Sequence, residues 1–64
     1  MMAAEVRPGD RVALATGAEL EVSRVEVAFL GRDELVAFVE DTAARWFKQP
    51  MQATAEVRVR RPDK

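Results

Sequence analysis

Residues 19–41, ELEVSRVEVAFLGRDELVAFVED, contain the pattern from which the fold can be predicted. Apolar side chains alternate at Leu20 and Val22, and after a shift of one residue they alternate again at Val25, Val27 and Phe29. Alternation with a period of two is typical of a β-strand that buries one face. The stretch therefore predicts one long strand from residue 19 to about residue 30, followed by a turn and a second strand.

The shift in phase falls at Ser23 and Arg24. A strand that gains one residue against its partner contains a β-bulge, which bends the strand and increases its twist. With a bulge near Ser23-Arg24, both sets of apolar side chains can face the same core. We therefore predict a corner at which the sheet folds back on itself, a device that closes small barrels.

The segment after the turn, residues 35–39, is apolar on both faces and predicts a central strand. Tight turns bound further alternating runs, at residues 11–16, 44–49 and 54–60. A two-turn helix over residues 42–48 is the alternative for the second of these runs, although helices that short are marginal without packing. The whole pattern predicts an all-β fold, a five-stranded meander closed into a small barrel.

Pairing across the predicted turns places an apolar strip on the outside of this sheet. Opposed residues share a face, so pairing Leu30 with Leu35 sets Val27 against Phe38 in the core. Pairing Glu40 with Arg45 sets Phe38 against Phe47 in the core and Val39 against Trp46 outside. The predicted protein-binding strip is Trp46, Val39, Leu35, Ala37 and Leu30. A register shifted by one residue would instead bury Trp46 and Leu35. Alternatively, the N-terminal segment or the C-terminal tail covers the strip.

The order of strands and turns along the chain resembles that of a known class of domain. It begins with RPGDRVAL and a glycine turn, continues with a long bent strand and GRDELVAFVEDTAARWF, and ends with a short final strand. In its order of strands and turns the chain resembles the SH3-like barrels of the KOW and Tudor type. The resemblance implies a binding module for peptides, RNA or ribosomal partners. With no Tyr, one Trp and three Phe, the chain lacks the aromatic residues that a Tudor methyl-ligand cage requires.

Composition narrows the classes of function. The 64 residues contain no Cys and no His, which excludes disulfides and thiolate metal sites and removes the commonest general base. We expect one domain over residues 1–64, frayed at about 1–4 and 61–64. We expect no catalytic residue, metal, cofactor, small-molecule substrate or membrane partner. The N-terminus lacks the features of a signal peptide, and no apolar run could span a bilayer, so the expected location is cytoplasmic.

Basic residues are concentrated near the C-terminus of a chain whose net charge is −1. Residues 44–64 carry a net charge of +4. One interpretation is that the basic final strand lies beside the acidic early strands and neutralises them. The other is a nucleic-acid-binding surface that contacts phosphates, formed by Arg45, Lys48, Arg58, Arg60 and Arg61.

A domain of this size has a small core, and such domains often need a disulfide, a metal or a partner chain. The sequence therefore predicts a non-enzymatic binding module that self-associates or docks on a protein partner through the outer apolar strip. Nucleic-acid binding through the basic C-terminal third is the alternative.

Overall fold

The computed structural model describes residues 1–61. In chain order its strands are β1 (Arg11–Ala13), β2 (Glu19–Glu21), β3 (Arg24–Val27), β4 (Leu35–Asp41), β5 (Trp46–Gln52) and β6 (Val59–Arg60). Short 3₁₀ turns precede β1 (Ala3–Glu5) and follow β3 (Phe29–Gly31). The predicted all-β class is confirmed for these residues, and the segment proposed as an alternative helix contains the start of β5. Of residues 61–64, which we predicted to be frayed, only Arg61 is described, and its guanidinium pairs with Asp10.

The strands form two antiparallel three-stranded sheets, with the orders β2-β1-β6 and β3-β4-β5. The predictions of five strands and of a closed barrel are therefore wrong. Within residues 1–61 every strand pairs only inside its own sheet, so the sheets face each other without closing. The core lies between them and consists of Ala3, Val6, Val12, Leu20, Val22, Val36 and Phe38.

The N-terminal segment is one reason why the barrel does not close. The amides of Ala3 and Ala4 donate to the carbonyls of Ala55 and Ala53, and Met2 bridges to Glu56. These contacts occupy the first half of the predicted final strand, which leaves only Val59–Arg60 to pair with β1. Residues 1–4, which we expected to be frayed, are thus tied to the fold, and Ala3 is fully buried.

The corner predicted at Ser23-Arg24 is the point where the chain changes sheets. The Val22 amide donates to the Asp10 carbonyl beside the first sheet, whereas the Ser23 amide donates to the Val39 carbonyl of β4 over 2.7 Å. Arg24 is the register partner of that same Val39. Val22 and Ser23 thus bond to different sheets, which places the corner between these two residues, whereas the predicted bulge stays a prediction. The predicted long strand is consequently divided into β2 and β3.

Both predicted registers of the second sheet differ from the structure by two residues. Phe38 pairs with Gln49 rather than Phe47, and Val25 rather than Val27 lies opposite Phe38. A longer loop causes the first change, since the Thr42 amide donates to the Arg45 carbonyl and residues 42–45 form the turn. Because side chains alternate with a period of two, a shift of two leaves each strand residue on its predicted face.

Candidate functional site

Trp46 lies on the outer face of the second sheet, as predicted, and Phe47 points between the sheets. Trp46 is the register partner of Asp41, so it shares a face with Val39 and Leu35. Its side chain is 58% exposed. The alternative register that buries Trp46 is therefore wrong.

The predicted strip does not form one continuous exposed surface. Leu30 is 78% exposed and Leu35 is half-buried, whereas Ala37 and Val39 are fully buried. The last two therefore cannot contact a partner while their cover is in place. Whether Trp46, Leu30 and Leu35 bind a protein stays a prediction.

An ion pair covers the two buried residues. The Lys48 ammonium lies 3.1 Å from the Glu26 carboxylate. β3 and β5 flank β4 on opposite sides, so a contact between their outward side chains crosses β4. Lys48 is the register partner of Val39, and Glu26 that of Ala37, which places the ion pair above both. The sheet's own long side chains thus cover both residues, whereas the N-terminal segment lies against residues 53–57.

Two aromatic rings flank this ammonium. The Lys48 Nζ atom lies 5.3 Å from the centre of the Phe29 ring and 5.8 Å from that of Trp46. A cation this close to a ring face is attracted by the ring quadrupole, by about 0.5–1 kcal/mol at exposed sites. We call the surface formed by Phe29, Trp46 and Lys48, together with the exposed Leu30 that follows Phe29 in the chain, the tryptophan face.

The turn that carries Phe29 and Leu30 has an unusual backbone. Ala28 and Leu30 adopt positive φ angles of 49° and 57°, and Gly31 follows at 73°. For residues other than glycine, this left-handed region costs roughly 1–2 kcal/mol each. The positive φ of Ala28 ends the strand alternation, so Phe29 does not enter the core as predicted and instead lies beside Lys48. Val27, also predicted to be inward, is 74% exposed.

The basic residues of the C-terminal third are mostly paired with carboxylates. The pairs are Arg45 with Glu40, Lys48 with Glu26, Arg60 with Glu19 and Arg61 with Asp10. The last two confirm that basic residues near the C-terminus neutralise acidic residues early in the chain. Among residues 1–61, no ion pair involves Arg58. Nucleic-acid binding by these five cations stays a prediction, and four of them already have an acidic partner.

Sequence reasoning identified Trp46 and Leu30 but did not assign Glu26, Phe29 and Lys48 to the same surface. The location of Glu26 and Lys48 on the outer face could have been predicted from the alternation of side chains, because both occupy outward positions of their strands. No comparable signal exists for Phe29, since its position depends on the left-handed backbone at Ala28.

Two further observations bear on the kind of site. Among the described residues, no group of three or more acidic side chains is placed to hold a metal ion. The same residues contain no helix with the length and apolar character needed to cross a membrane.

In comparisons with known proteins, no family model, no curated protein and no solved structure matches the chain. The function is therefore argued from the geometry of the surface.

Proposed function

We propose that the protein is a small non-enzymatic interaction module that binds a protein partner, or a second copy of itself, through the tryptophan face. The observation that carries the proposal is the joint exposure of Trp46 and Leu30. Tryptophan is the residue type most enriched among the residues that dominate binding energy at interfaces. Large apolar side chains grouped on one face are also a recognised mark of interaction surfaces.

The organisation of the tryptophan face supports the proposal. Val39 and Ala37 are already shielded by the ion pair between Lys48 and Glu26. The sheet therefore does not need Trp46 or Leu30 as a cover, and both remain available for contact. The lysine between two rings also restricts the aromatic side chains, which reduces the conformational entropy that they would lose on binding.

The backbone strain beneath Leu30 is a second support. A leucine in the left-handed region is unfavourable, and here its side chain gains little burial in return. Strained residues persist where the surrounding structure holds them, and they cluster at functional positions. A partner that buries Leu30 would offset this cost on binding.

The kinship with SH3-like domains of the KOW and Tudor type is part of the same proposal. What supports it is the strand that crosses from one small sheet to the other at Ser23, followed by short antiparallel strands. The open edge between the sheets departs from the closed barrel of those families. The proposal therefore extends to their role as binding modules and does not name a ligand.

The decisive comparison is Leu30→Glu against Val27→Glu. Both residues are apolar and about equally exposed, and Val27 lies on the other face of the second sheet. Each variant is first checked for an unchanged unfolding transition. Sedimentation at micromolar and higher concentrations then measures self-association, and photo-crosslinking from position 46 in a lysate of the native host captures partners.

We expect wild type and Val27→Glu to self-associate or to crosslink the same partner, and Leu30→Glu to lose that contact. An interfacial Trp46 would also shift its fluorescence to the blue in the complex. Identical behaviour of the two glutamate variants would rule out the tryptophan face as the binding surface.

A further inference from the structure

The two sheets separate on the side of the β1–β2 hairpin and leave a cleft of about 950 Å³. Its walls are residues 13–18 of the hairpin and residues 55–58 before β6. Its floor comes from the inner face of β5, and Arg45 lies at its edge. Ligand clefts in proteins typically enclose about 300–1,000 Å³, so this opening is large enough for a short peptide segment.

Small side chains keep the cleft open. The hairpin wall carries Ala13, Ala15, Gly17 and Ala18, and the opposite wall carries Ala55. A side chain that ends at Cβ or Cα fills little space, so neither wall reaches across to the other sheet. A closed barrel would have interlocking side chains at these positions. In this chain the cleft remains open between the hairpin and the residues before β6.

Apart from Gln49, the floor of the cleft is apolar. Leu14, Met51 and Val57 pack against the core on one side and remain half-buried. Phe47 lies beside them and is 37% exposed. These side chains lie on the inner face of the fold, opposite the tryptophan face, so the cleft is a separate surface.

The charge of the cleft is positive and is concentrated at Arg58. The other two charged side chains in its lining are already paired, Arg45 with Glu40 and Glu56 with the N-terminal ammonium. Within residues 1–61, Arg58 forms no ion pair. An anionic group entering the cleft would therefore meet an available guanidinium, which binds carboxylates through paired hydrogen bonds.

The hairpin wall also presents unpaired backbone. Ala13 donates its amide to the Arg58 carbonyl, and Leu14 donates to Ala18 on the other side. Ala15 lines the cleft within the turn that the Gly17 amide closes on the Leu14 carbonyl, and among residues 1–61 its own amide donates no hydrogen bond. A carbonyl of a peptide in the cleft could therefore accept a hydrogen bond from this amide.

We propose that the cleft binds a peptide segment of a partner protein, with one bulky apolar side chain on the floor of Phe47, Met51 and Leu14 and a nearby carboxylate on Arg58. The apolar floor selects the large side chain, the guanidinium selects the acidic one, and the Ala15 amide can donate to a carbonyl of the peptide backbone. This recognition does not depend on the tryptophan face.

A random peptide library selected on the immobilised protein tests the proposal. We expect the enriched peptides to combine a bulky apolar residue with Asp or Glu one or two positions away. The Arg58→Glu change should weaken their affinity roughly tenfold or more, the scale of a hydrogen bond between charged groups. Ala15→Phe, which fills the cleft from an exposed position, should abolish binding.

Two control variants distinguish binding in the cleft from binding elsewhere on the protein. Arg7→Glu makes the same charge change away from the cleft, and Leu30→Glu alters the tryptophan face; both should bind the selected peptides as wild type does. The proposal is overturned if no apolar and acidic pattern is enriched, or if the enriched peptides bind Arg58→Glu and Ala15→Phe unchanged. Loss of binding in Leu30→Glu would assign the peptides to the tryptophan face instead.

Discussion

Glu40 is the side chain through which the two sheets are joined. It is 6% exposed, and its carboxylate accepts hydrogen bonds from the Arg45 guanidinium and from the Glu21 amide of β2. Arg45 also donates to the Glu19 carbonyl. The Arg45 guanidinium, followed by the Glu21 amide, holds the pKa of Glu40 below its ordinary value of 4.5. The charged carboxylate therefore stabilises the folded state.

Replacing Glu40 by Gln should lower the free energy of unfolding by about 1–3 kcal/mol, because the amide cannot satisfy Arg45 and the Glu21 amide as the carboxylate does. Urea unfolding at neutral pH measures the loss. Glu34→Gln is the matched control, since it removes an exposed ion pair with Arg32, and exposed pairs contribute little to stability. Equal losses in the two variants would contradict the role assigned to Glu40.

The same carboxylate should make stability depend on pH. Its folded-state pKa is lowered, so its contribution is complete above the unfolded value of 4.5. The contribution is lost as the pH falls from that value through the folded-state pKa. Urea titrations on the acid side should show a shallower decline for Glu40→Gln than for wild type. A decline of the same slope in both would show that other carboxylates account for it.

At the scale of elements, the turn after β3 is the segment whose backbone conflicts most with its residue types. Ala28 has a φ of 49°, a region that glycine adopts freely and alanine does not. The turn nonetheless forms, because its amides are bonded: Gly31 donates to Ala28, and Arg32 to Phe29. The unfavourable backbone conformation of Ala28 therefore lowers the stability of the folded state.

Ala28→Gly should raise the free energy of unfolding, by about 0.5–1 kcal/mol, because relief of the left-handed strain exceeds the extra entropy of an unfolded glycine. Thermal and urea unfolding both measure it. Ala43→Gly is the control, as Ala43 is an exposed loop residue that is not among those with positive φ. It should leave stability unchanged or lower it. A loss of stability in Ala28→Gly would show that the strain is smaller than the geometry indicates.

At the scale of the whole molecule, stability depends on a very small core. Phe38 is the largest side chain that is fully buried, and it lies on β4 at the centre of the second sheet. Proteins are typically stable by about 0.05–0.15 kcal/mol per residue. For a chain of 64 residues, this corresponds to only about 3–10 kcal/mol.

Phe38→Ala should therefore lower the free energy of unfolding by about 3–5 kcal/mol, the cost of removing a buried phenylalanine and a large part of the total. Circular dichroism and the dispersion of amide resonances would report the loss. Val27→Ala is the control, since Val27 is largely exposed and such changes usually stay within about 0.5 kcal/mol. A Phe38→Ala protein with wild-type stability would show that other side chains, rather than Phe38, account for the stability of the core.

The inward and outward faces of the strands, and the approximate positions of several of them, could be predicted from the residues alone. Alternation placed Leu20, Val12 and Phe38 inside and Trp46 outside, and the skipped position at Ser23 marked the corner. These features follow from the two-residue period of side chains along a strand and from the residue types that form turns. Both can be read from a short stretch of sequence. Even the two-residue errors in register preserved every face within the strands.

How the sheets end and what their surfaces present depends on tertiary contacts. The pairing of residues 1–4 with the chain before β6 left the barrel open and created the cleft. The ion pair between Lys48 and Glu26 covers Val39 and Ala37 and leaves Trp46 exposed beside it. Both outcomes depend on contacts between residues that are distant in sequence. A local sequence pattern does not show which of the possible distant contacts has the lowest free energy.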